Sequence, residues 1–176
     1  MIYKKFLKYV ILIFVIFYSS ALKSDSSIYY IDVNFLINNS LAGKSIIKQL
    51  EVINKSTNQQ FKKKEEDLKK QEIKITSQKN ILSKEEYAKK VKFFSKQVSE
   101  YNLFRNNKIN GISKIKNQAQ KTLLDSLTQI LAEYSKNKSI SYIISKQNII
   151  IGKKDLDLTN IIFKILNSKI KNIKLS

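Results

Sequence analysis

Few side chains in this 176-residue chain could catalyse a reaction or hold a metal ion. The sequence contains no Cys and no His, which excludes thiol and Ser–His nucleophiles, disulfide bonds and the common zinc sites. Two acidic clusters remain, Glu65-Glu66-Asp67 and the pair Asp155 and Asp157. Adjacent helical side chains point about 100° apart, so the first cluster cannot converge on one ion. The second pair suits a turn and a helix cap. We therefore predict no catalytic residues, no metal site and no cofactor.

The segment Ala42-Gly43-Lys44-Ser45 matches only the end of a phosphate-binding loop. Such a loop needs another glycine five residues before Gly43, where the backbone turns around the phosphate, and Asn38 occupies that position. We expect no nucleotide there. Gly43 is instead expected to let the start of a helix pack closely against the rest of the molecule.

Lysine dominates the charge of the chain. Lys and Arg number 33 against 14 Asp and Glu, a formal net charge of +19, and Arg105 is the only arginine. This charge attracts anionic partners of any kind, including nucleic acid, anionic lipid and acidic polypeptides. Because lysine lacks the planar fork with which arginine reads guanine, we expect no sequence-specific binding of nucleic acid. A general bias of the sequence toward Lys, Asn and Ile is the alternative explanation.

Twelve lysines lie between positions 62 and 96, where only six residues are acidic. They attract anionic headgroups or acidic chains in one interpretation, and simply keep an exposed helix pair soluble in the other. We call them the basic tip surface: Lys62, Lys63, Lys64, Lys69, Lys70, Lys74, Lys79, Lys84, Lys89, Lys90, Lys92 and Lys96.

Two phenylalanines of the same region could bind apolar segments of a partner. Phe93 and Phe104 lie eleven residues apart, about three helical turns, so they share one face of a helix. That face is displaced from the row of apolar residues that is expected to contact a neighbouring helix and that contains Phe94. Exposed aromatic residues often mark binding sites, but both could equally pack beneath the neighbouring helix. The candidate binding residues are Phe61, Leu68, Phe93, Phe94, Tyr101 and Phe104.

The N-terminal residues have the pattern of an export signal. Lys4, Lys5 and Lys8 precede an apolar run over residues 10–18, and Ser19-Ser20-Ala21 supplies the small residues of a cleavage site. An uncleaved membrane anchor, the alternative, needs a longer run of about 17–25 apolar residues. We expect residues 1–21 to be removed as a signal peptide and the mature chain to act outside the cytoplasm.

The central part of the chain, residues 40–137, predicts a long antiparallel helical hairpin. It lacks proline, which permits long helices. One helix is expected over residues 40–82, and a second begins at Ser83, where Ser83-Lys84-Glu85-Glu86 forms a capping box. The tip then lies at residues 80–83. Near it the seam of the first helix is thin, with one apolar residue per heptad: Phe61, Leu68, Ile75 and Leu82.

Both ends of the mature chain contribute to a body, residues 27–39 and 138–168. Strands are expected over residues 27–36, 141–144 and 148–151. Asp157 or Thr159 is expected to cap a last helix, and the basic tail, residues 169–176, is expected to fray. The fold class is thus α+β, a small β-rich oligomerisation body carrying the hairpin. A body of this size is marginal alone, so we expect an oligomer.

The ordered set of motifs resembles the Skp/OmpH family. It comprises the signal, Asp32-x-x-Phe35-Leu36-x-x-x-Ser40-x-Ala42-Gly43-Lys44, the hairpin with Ile81-Leu82-Ser83-Lys84-Glu85-Glu86 at its tip, and Asp155-Leu156-Asp157-Leu158-Thr159. The resemblance implies a homotrimer whose three tentacles surround a cavity for unfolded outer-membrane proteins. It implies an ATP-independent periplasmic holdase and no enzyme. Anionic lipid or lipopolysaccharide is a further candidate partner, but the resemblance assigns no particular residues of this chain to its binding.

Two other readings of the sequence compete with a chaperone. A structural coiled-coil spacer should have a fuller apolar seam than residues 61–82 provide. A nucleic-acid-binding protein should lack an export signal and should carry arginines and stacking aromatic residues in a basic groove. The chaperone reading accounts for both the signal and the thin seam.

Overall fold

The computed structural model describes residues 28–175, so the predicted signal peptide lies outside the described residues. This part of the chain is mostly helical. Its elements, in order, are β1 (Ile28–Ile31), α1 (Val33–Asn39), α2 (Leu41–Ser77), α3 (Lys84–Lys138), β2 (Tyr142–Ser145) and α4 (Thr159–Lys169). Two short 3-10 turns, Lys146–Asn148 and Lys154–Leu156, lie between β2 and α4.

Helices α2 and α3 form the hairpin, and local capping sets their ends. The Ser40 hydroxyl accepts a hydrogen bond of 3.1 Å from the Gly43 amide at the start of α2. At the tip, the Ser83 amide donates to the Glu86 carboxylate over 3.1 Å, and the Glu86 amide donates to the Ser83 hydroxyl over 3.3 Å. The predicted capping box is therefore confirmed. Helix α3 has 55 residues, which corresponds to a length of about 80 Å.

The apolar core lies at the base of the hairpin, where all four helices meet. Gly43 allows the close approach of α1 and α2 there, because a Cβ at position 43 would lie 1.7 Å from the Ile37 carbonyl oxygen. The close packing predicted for this glycine is confirmed. Buried side chains come from β1 and from every helix: Ile31, Leu36, Ala42, Ile46, Ala119, Leu123, Leu127, Ile130, Leu158, Ile162 and Leu166.

The first strand is shorter than predicted. β1 ends at Ile31, and the Asp32 carboxylate accepts a hydrogen bond of 2.8 Å from the Phe35 amide, which caps α1. A side-chain cap satisfies a helix N-terminal amide that has no partner within the helix. This local bond prevails over the β-branched and aromatic residues that predicted a strand over residues 27–36.

The body contains two strands within residues 28–175, so the prediction of a β-rich body with three strands was wrong. β1 and β2 pair in parallel, from Ile28 opposite Tyr142 to Ile31 opposite Ser145. Residues 148–151, predicted as a strand, follow a 3-10 turn, and Ile150 and Ile151 are 100% and 91% exposed. A strand needs an adjacent strand to take its backbone hydrogen bonds, and no strand of residues 28–175 pairs with this segment.

The C-terminal tail packs against α2 instead of fraying. The Gln49 side-chain amide donates to the Ile173 carbonyl over 2.8 Å, and its oxygen accepts from the Leu175 amide over 3.3 Å. The Ser45 hydroxyl donates to the Asn172 side chain over 2.6 Å. Ile170, Ile173 and Leu175 are partly buried against the core. The glutamine thus holds the tail much as a neighbouring strand would, an arrangement that sequence spacing does not reveal.

Replacement of Gln49 by alanine should detach the tail and lower the free energy of unfolding by about 1–2 kcal/mol, because it removes two hydrogen bonds to the backbone. Urea unfolding followed by circular dichroism measures the loss. Gln60→Ala, at an exposed position of the same helix, is the matched control and should change stability by less than about 0.5 kcal/mol. Equal effects of the two substitutions would contradict the role of Gln49.

Candidate functional site

The six candidate binding residues lie in the half of the hairpin that is remote from the core, but their environments differ. Phe61 is buried, Phe93 is 64% exposed, and the remaining four are half-buried: Leu68, Phe94, Tyr101 and Phe104. The sequence left open whether Phe93 and Phe104 are exposed or packed beneath the neighbouring helix, and each alternative holds for one of the two residues. Phe104 packs beneath the facing helix, whereas Phe93 faces solvent.

Phe61, Tyr101 and Phe104 form an aromatic joint between α2 and α3. The Phe61 ring centroid lies 6.4 Å from that of Tyr101 and 6.1 Å from that of Phe104, and both pairs are edge-to-face, with interplanar angles of 83° and 88°. Such pairs stabilise a structure beyond the burial of their area, by about 0.5–1.5 kcal/mol each. The joint therefore fixes the distance and register of the two helices at mid-hairpin.

Cationic side chains cover the outer faces of this joint. The Lys64 ammonium lies 4.9 Å and the Lys108 ammonium 5.7 Å from the Phe104 ring centroid, and the Arg105 guanidinium lies 5.7 Å from that of Phe61. No cation–π contact was predicted from the sequence. The i,i+4 spacing of Phe104 and Lys108 is the signal that could have shown one of these contacts. The other two contacts join residues of different helices, which spacing within one helix does not show.

The Tyr101 hydroxyl donates a hydrogen bond to the Glu65 carboxylate across the hairpin. Desolvation between the helices, and secondly this hydrogen bond, raise the pKa of Tyr101 above its ordinary value. The phenol thus stays protonated and keeps donating at neutral pH. Glu65 is held in a structural contact, and the described residues contain no group of three potential metal ligands.

Toward the tip the seam opens into two pockets on the hairpin surface. The joint pocket, about 290 Å³, is lined by Leu68, Gln97, Tyr101 and Phe104 and by three charged residues, Lys64, Asp67 and Glu100. The tip pocket, about 410 Å³, is lined by Lys74, Ile75, Gln78, Lys89, Lys90 and Phe93. Gln71 borders both pockets. The pockets are the physical result of the thin seam, because glutamines stand where apolar side chains would close the gap.

Gln97, which lines the joint pocket, has an unsatisfied polar atom. Its side-chain oxygen is inaccessible to solvent and accepts no hydrogen bond from any described residue. A buried acceptor without a partner costs about 1–3 kcal/mol. This part of the hairpin is therefore less stable than the base.

All twelve lysines of the basic tip surface are exposed. Within residues 28–175, Lys96 is the member that forms an ion pair, with Glu100 at 3.8 Å, and both side chains are more than half exposed. Such pairs contribute little to stability. The charge therefore remains available to attract an anionic partner.

The second acidic pair occupies the body. The Asp157 carboxylate accepts a hydrogen bond of 2.9 Å from the Thr159 amide and forms an ion pair of 3.2 Å with Lys146. Burial raises the pKa of Asp157, but the hydrogen bonds from Thr159 and Lys146 outweigh burial, so the net pKa lies below its ordinary value. Thr159 in turn accepts a hydrogen bond of 2.9 Å from the Asp32 amide. Asp157 and Thr159 thus tie the start of α4 to β1, with Leu158 at the formal cap position.

Comparison with known proteins identifies the family. The family model for outer membrane protein (OmpH-like) matches residues 27–166, most of the chain. The chain belongs to the OmpH-like family. This confirms the resemblance drawn from the sequence motifs, and OmpH-like membership supports a chaperone role.

A solved OmpH-like structure has the same fold. The crystal structure of a protein described as an outer membrane chaperone (OmpH-like) from Caulobacter crescentus superposes with a TM-score of 0.77 at 12% sequence identity. The match covers 84% of this chain and 87% of the other. A search of curated proteins finds no match. Among helices within residues 28–175, none combines the length and apolarity needed to span a membrane.

Phe61→Ala should lower the free energy of unfolding by about 3 kcal/mol, because it removes the buried ring that both other members of the aromatic joint contact. Phe93→Ala is the matched control. Since Phe93 is exposed, this substitution should change stability by less than about 0.5 kcal/mol. Urea unfolding followed at 222 nm compares the two variants at equal protein concentration, and a similar loss in both would contradict the assigned environments.

Proposed function

We propose that this OmpH-like protein is an ATP-independent holdase of the periplasm that binds unfolded outer-membrane proteins and prevents their aggregation. One observation carries the proposal. The half of the hairpin that is remote from the core presents two partly apolar pockets and the exposed Phe93 beside a lysine-rich surface. A surface of this kind offers apolar contacts to many sequences and requires no defined shape in the partner.

Catalysis is not part of the proposed function. The acidic side chains of the hairpin and body have structural roles or are exposed: Glu65 accepts from Tyr101, Glu86 caps α3, and Asp157 holds the start of α4. The proposed activity instead consists of reversible binding, in which folding of the client competes with its retention.

A homotrimer is the proposed assembly, and the body supports self-association. A parallel two-stranded sheet is rarely stable unless both faces and edges are covered. Here several large apolar side chains of the body are exposed: Ile28, Tyr142, Ile144, Ile150 and Ile151. A second copy placed against this surface would bury them and would give residues 148–151 the neighbouring strand that they lack. The number three rests on the family resemblance.

Export places the proposed activity in the periplasm and separates it from nucleic acid. The predicted signal over residues 1–21 supports this location. The basic tip surface would also attract anionic lipid or lipopolysaccharide through its exposed lysines, an interaction that must weaken as salt rises. A structural spacer is favoured less, because the seam opens into pockets in the distal half of the hairpin.

The mature chain, residues 22–176, should suppress the aggregation of a urea-unfolded β-barrel protein after dilution, at near-stoichiometric amounts and without ATP. Light scattering measures aggregation, and a folded soluble protein of similar net charge is the control. A DNA titration over salt runs in parallel. Absence of suppression, together with tight binding of DNA at physiological salt, would reject the chaperone reading in favour of a nucleic-acid-binding protein.

Ile150→Asp combined with Ile151→Asp should convert the oligomer into monomers, because each carboxylate would be buried without a partner in the assembly. Both side chains are exposed in the single chain, so helicity should be retained. Multi-angle light scattering gives the mass and circular dichroism the helicity. Ile73→Asp, at a 61% exposed position of α2, is the control that should remain oligomeric. A monomeric wild-type chain at micromolar concentration would refute the assembly.

A further inference from the structure

We infer that the tip pocket binds one aromatic side chain of an extended client segment whose nearby residues carry carboxylates. The inference rests on the proposed function and specifies the client chemistry that this site selects. The tip pocket differs from the joint pocket in charge and in its floor, and these two differences define the ligand.

The floor of the tip pocket is apolar and open. Ile75 lines it from α2 and Phe93 from α3, and Phe93 is 64% exposed. No aromatic side chain among the described residues packs against Phe93, whereas Phe104 at the joint pocket is already in contact with Phe61. An incoming aromatic ring would supply the edge-to-face partner that Phe93 lacks.

The charged residues that line the tip pocket are all lysines. Lys74, Lys89 and Lys90 line it without any acidic residue, whereas Asp67 and Glu100 line the joint pocket together with Lys64. Within residues 28–175 the three rim lysines form no ion pair. Three ammonium groups around one apolar floor favour a ligand that brings carboxylates with its ring.

A hydrogen bond positions one lysine of the rim, and the helix cap holds a neighbouring carboxylate. The Lys90 ammonium donates to the Gln78 side-chain oxygen over 2.7 Å, which positions it at the pocket edge. Glu86, the acidic residue that acts electrostatically on Lys90, is held by the Ser83 amide in the capping box. This carboxylate is therefore committed to the helix cap.

An extended client segment determines where the carboxylates must lie. Helices α2 and α3 form the two walls of the tip pocket, and an unfolded client, which the proposed function requires, can lie between them in an extended conformation. In an extended chain, side chains two residues apart point to the same side. Carboxylates two residues before and after the aromatic residue would thus face the lysine rim while the ring enters the pocket.

Nine-residue fluorescent peptides test this chemistry by anisotropy with the mature chain. The first carries a central Phe with Asp two residues away on each side, the second carries Lys in place of both Asp, and the third carries Ala in place of Phe. The first should bind at least about fivefold more tightly than either of the others, since each loses one of the two contacts. Equal binding of the Phe–Asp and Phe–Lys peptides, or no binding of the first, would overturn the inference.

Variants then locate the contact. Lys74→Gln, Lys89→Gln and Lys90→Gln together should weaken binding of the Phe–Asp peptide about tenfold, because three moderate charge contacts are lost. Lys63→Gln, Lys69→Gln and Lys70→Gln remove the same charge from exposed positions of α2 outside both pockets. This matched triple should weaken binding less than about twofold by long-range effects alone. Equal losses would show general attraction and overturn the site.

The aromatic contact has its own matched pair on α3. Phe93→Ser should weaken binding about fivefold, whereas Leu103→Ser, at a 61% exposed position outside both pockets, should leave it unchanged. The chain contains no Trp, so Phe93→Trp also provides a single tryptophan whose emission should shift to the blue when the peptide binds. An unchanged spectrum at saturating peptide would contradict contact at Phe93.

Two further measurements separate this inference from its alternatives. Vesicles containing phosphatidylglycerol report lipid binding. If the combined substitution of Lys74, Lys89 and Lys90 weakens only vesicle binding, the pocket is assigned to lipid and the peptide site is overturned. Aggregation suppression is measured with the same proteins. If wild type suppresses aggregation but both lysine triples bind peptide alike, the pocket inference fails and the chaperone proposal stands. If wild type binds the peptide selectively but suppresses nothing, the chaperone proposal fails instead.

Discussion

The fold depends on a single apolar core at one end of a long hairpin. Leu123 and Leu127 of α3 are 0% and 1% exposed there, and α1, α2 and α4 pack around them. A helix pair that extends far from its core needs some contact along its length, since isolated helices gain little stability in water. The aromatic joint of Phe61, Tyr101 and Phe104 is that contact. It holds the two helices together about halfway between the core and the tip.

This distribution of contacts makes stability decrease along the hairpin. The base buries apolar side chains from four helices, and the joint buries the Phe61 ring. The segment beyond the joint contains Gln71, an unsatisfied Gln97 oxygen and two open pockets. Regions with few buried apolar contacts open at a lower free energy than the core. The part of the hairpin that is proposed to meet the client is thus also its most adaptable part, whereas the base keeps the hairpin in place.

Local signals in the sequence predicted the helices well, because their causes are local. The capping box at Ser83 and the absence of proline require no knowledge of the partner helix, and Gly43 marked a close approach at the start of α2. Strands were predicted less well, since residues 148–151 have the composition of a strand but pair with no strand in the described part of the chain. The Gln49 contact with the tail joins residues more than 120 positions apart, and no periodicity shows it.

Phe93 and Phe104 likewise show which features of the candidate site the sequence could not predict. Helical spacing places both on one face, but the facing helix decides which of them is covered. Phe61 of that helix packs against Phe104 and not against Phe93. The thin seam was visible as one apolar residue per heptad, whereas the pockets that it creates depend on how α2 and α3 are aligned. The net charge could be calculated from the sequence. Only the structure shows that the charged residues of the tip pocket are all lysines, whereas those of the joint pocket have both signs.

In the proposed function, the lysines and the apolar pockets contribute to different steps. Exposed lysines speed the encounter with an anionic segment, but each contributes little affinity because solvent and salt screen it. Retention then depends on apolar contacts, which are weak singly and add up when several hairpins hold one client. Such contacts can be lost one at a time. A client that buries its own apolar side chains while folding removes them from the pockets, so release follows from the client's folding and needs no energy-consuming step by the chaperone.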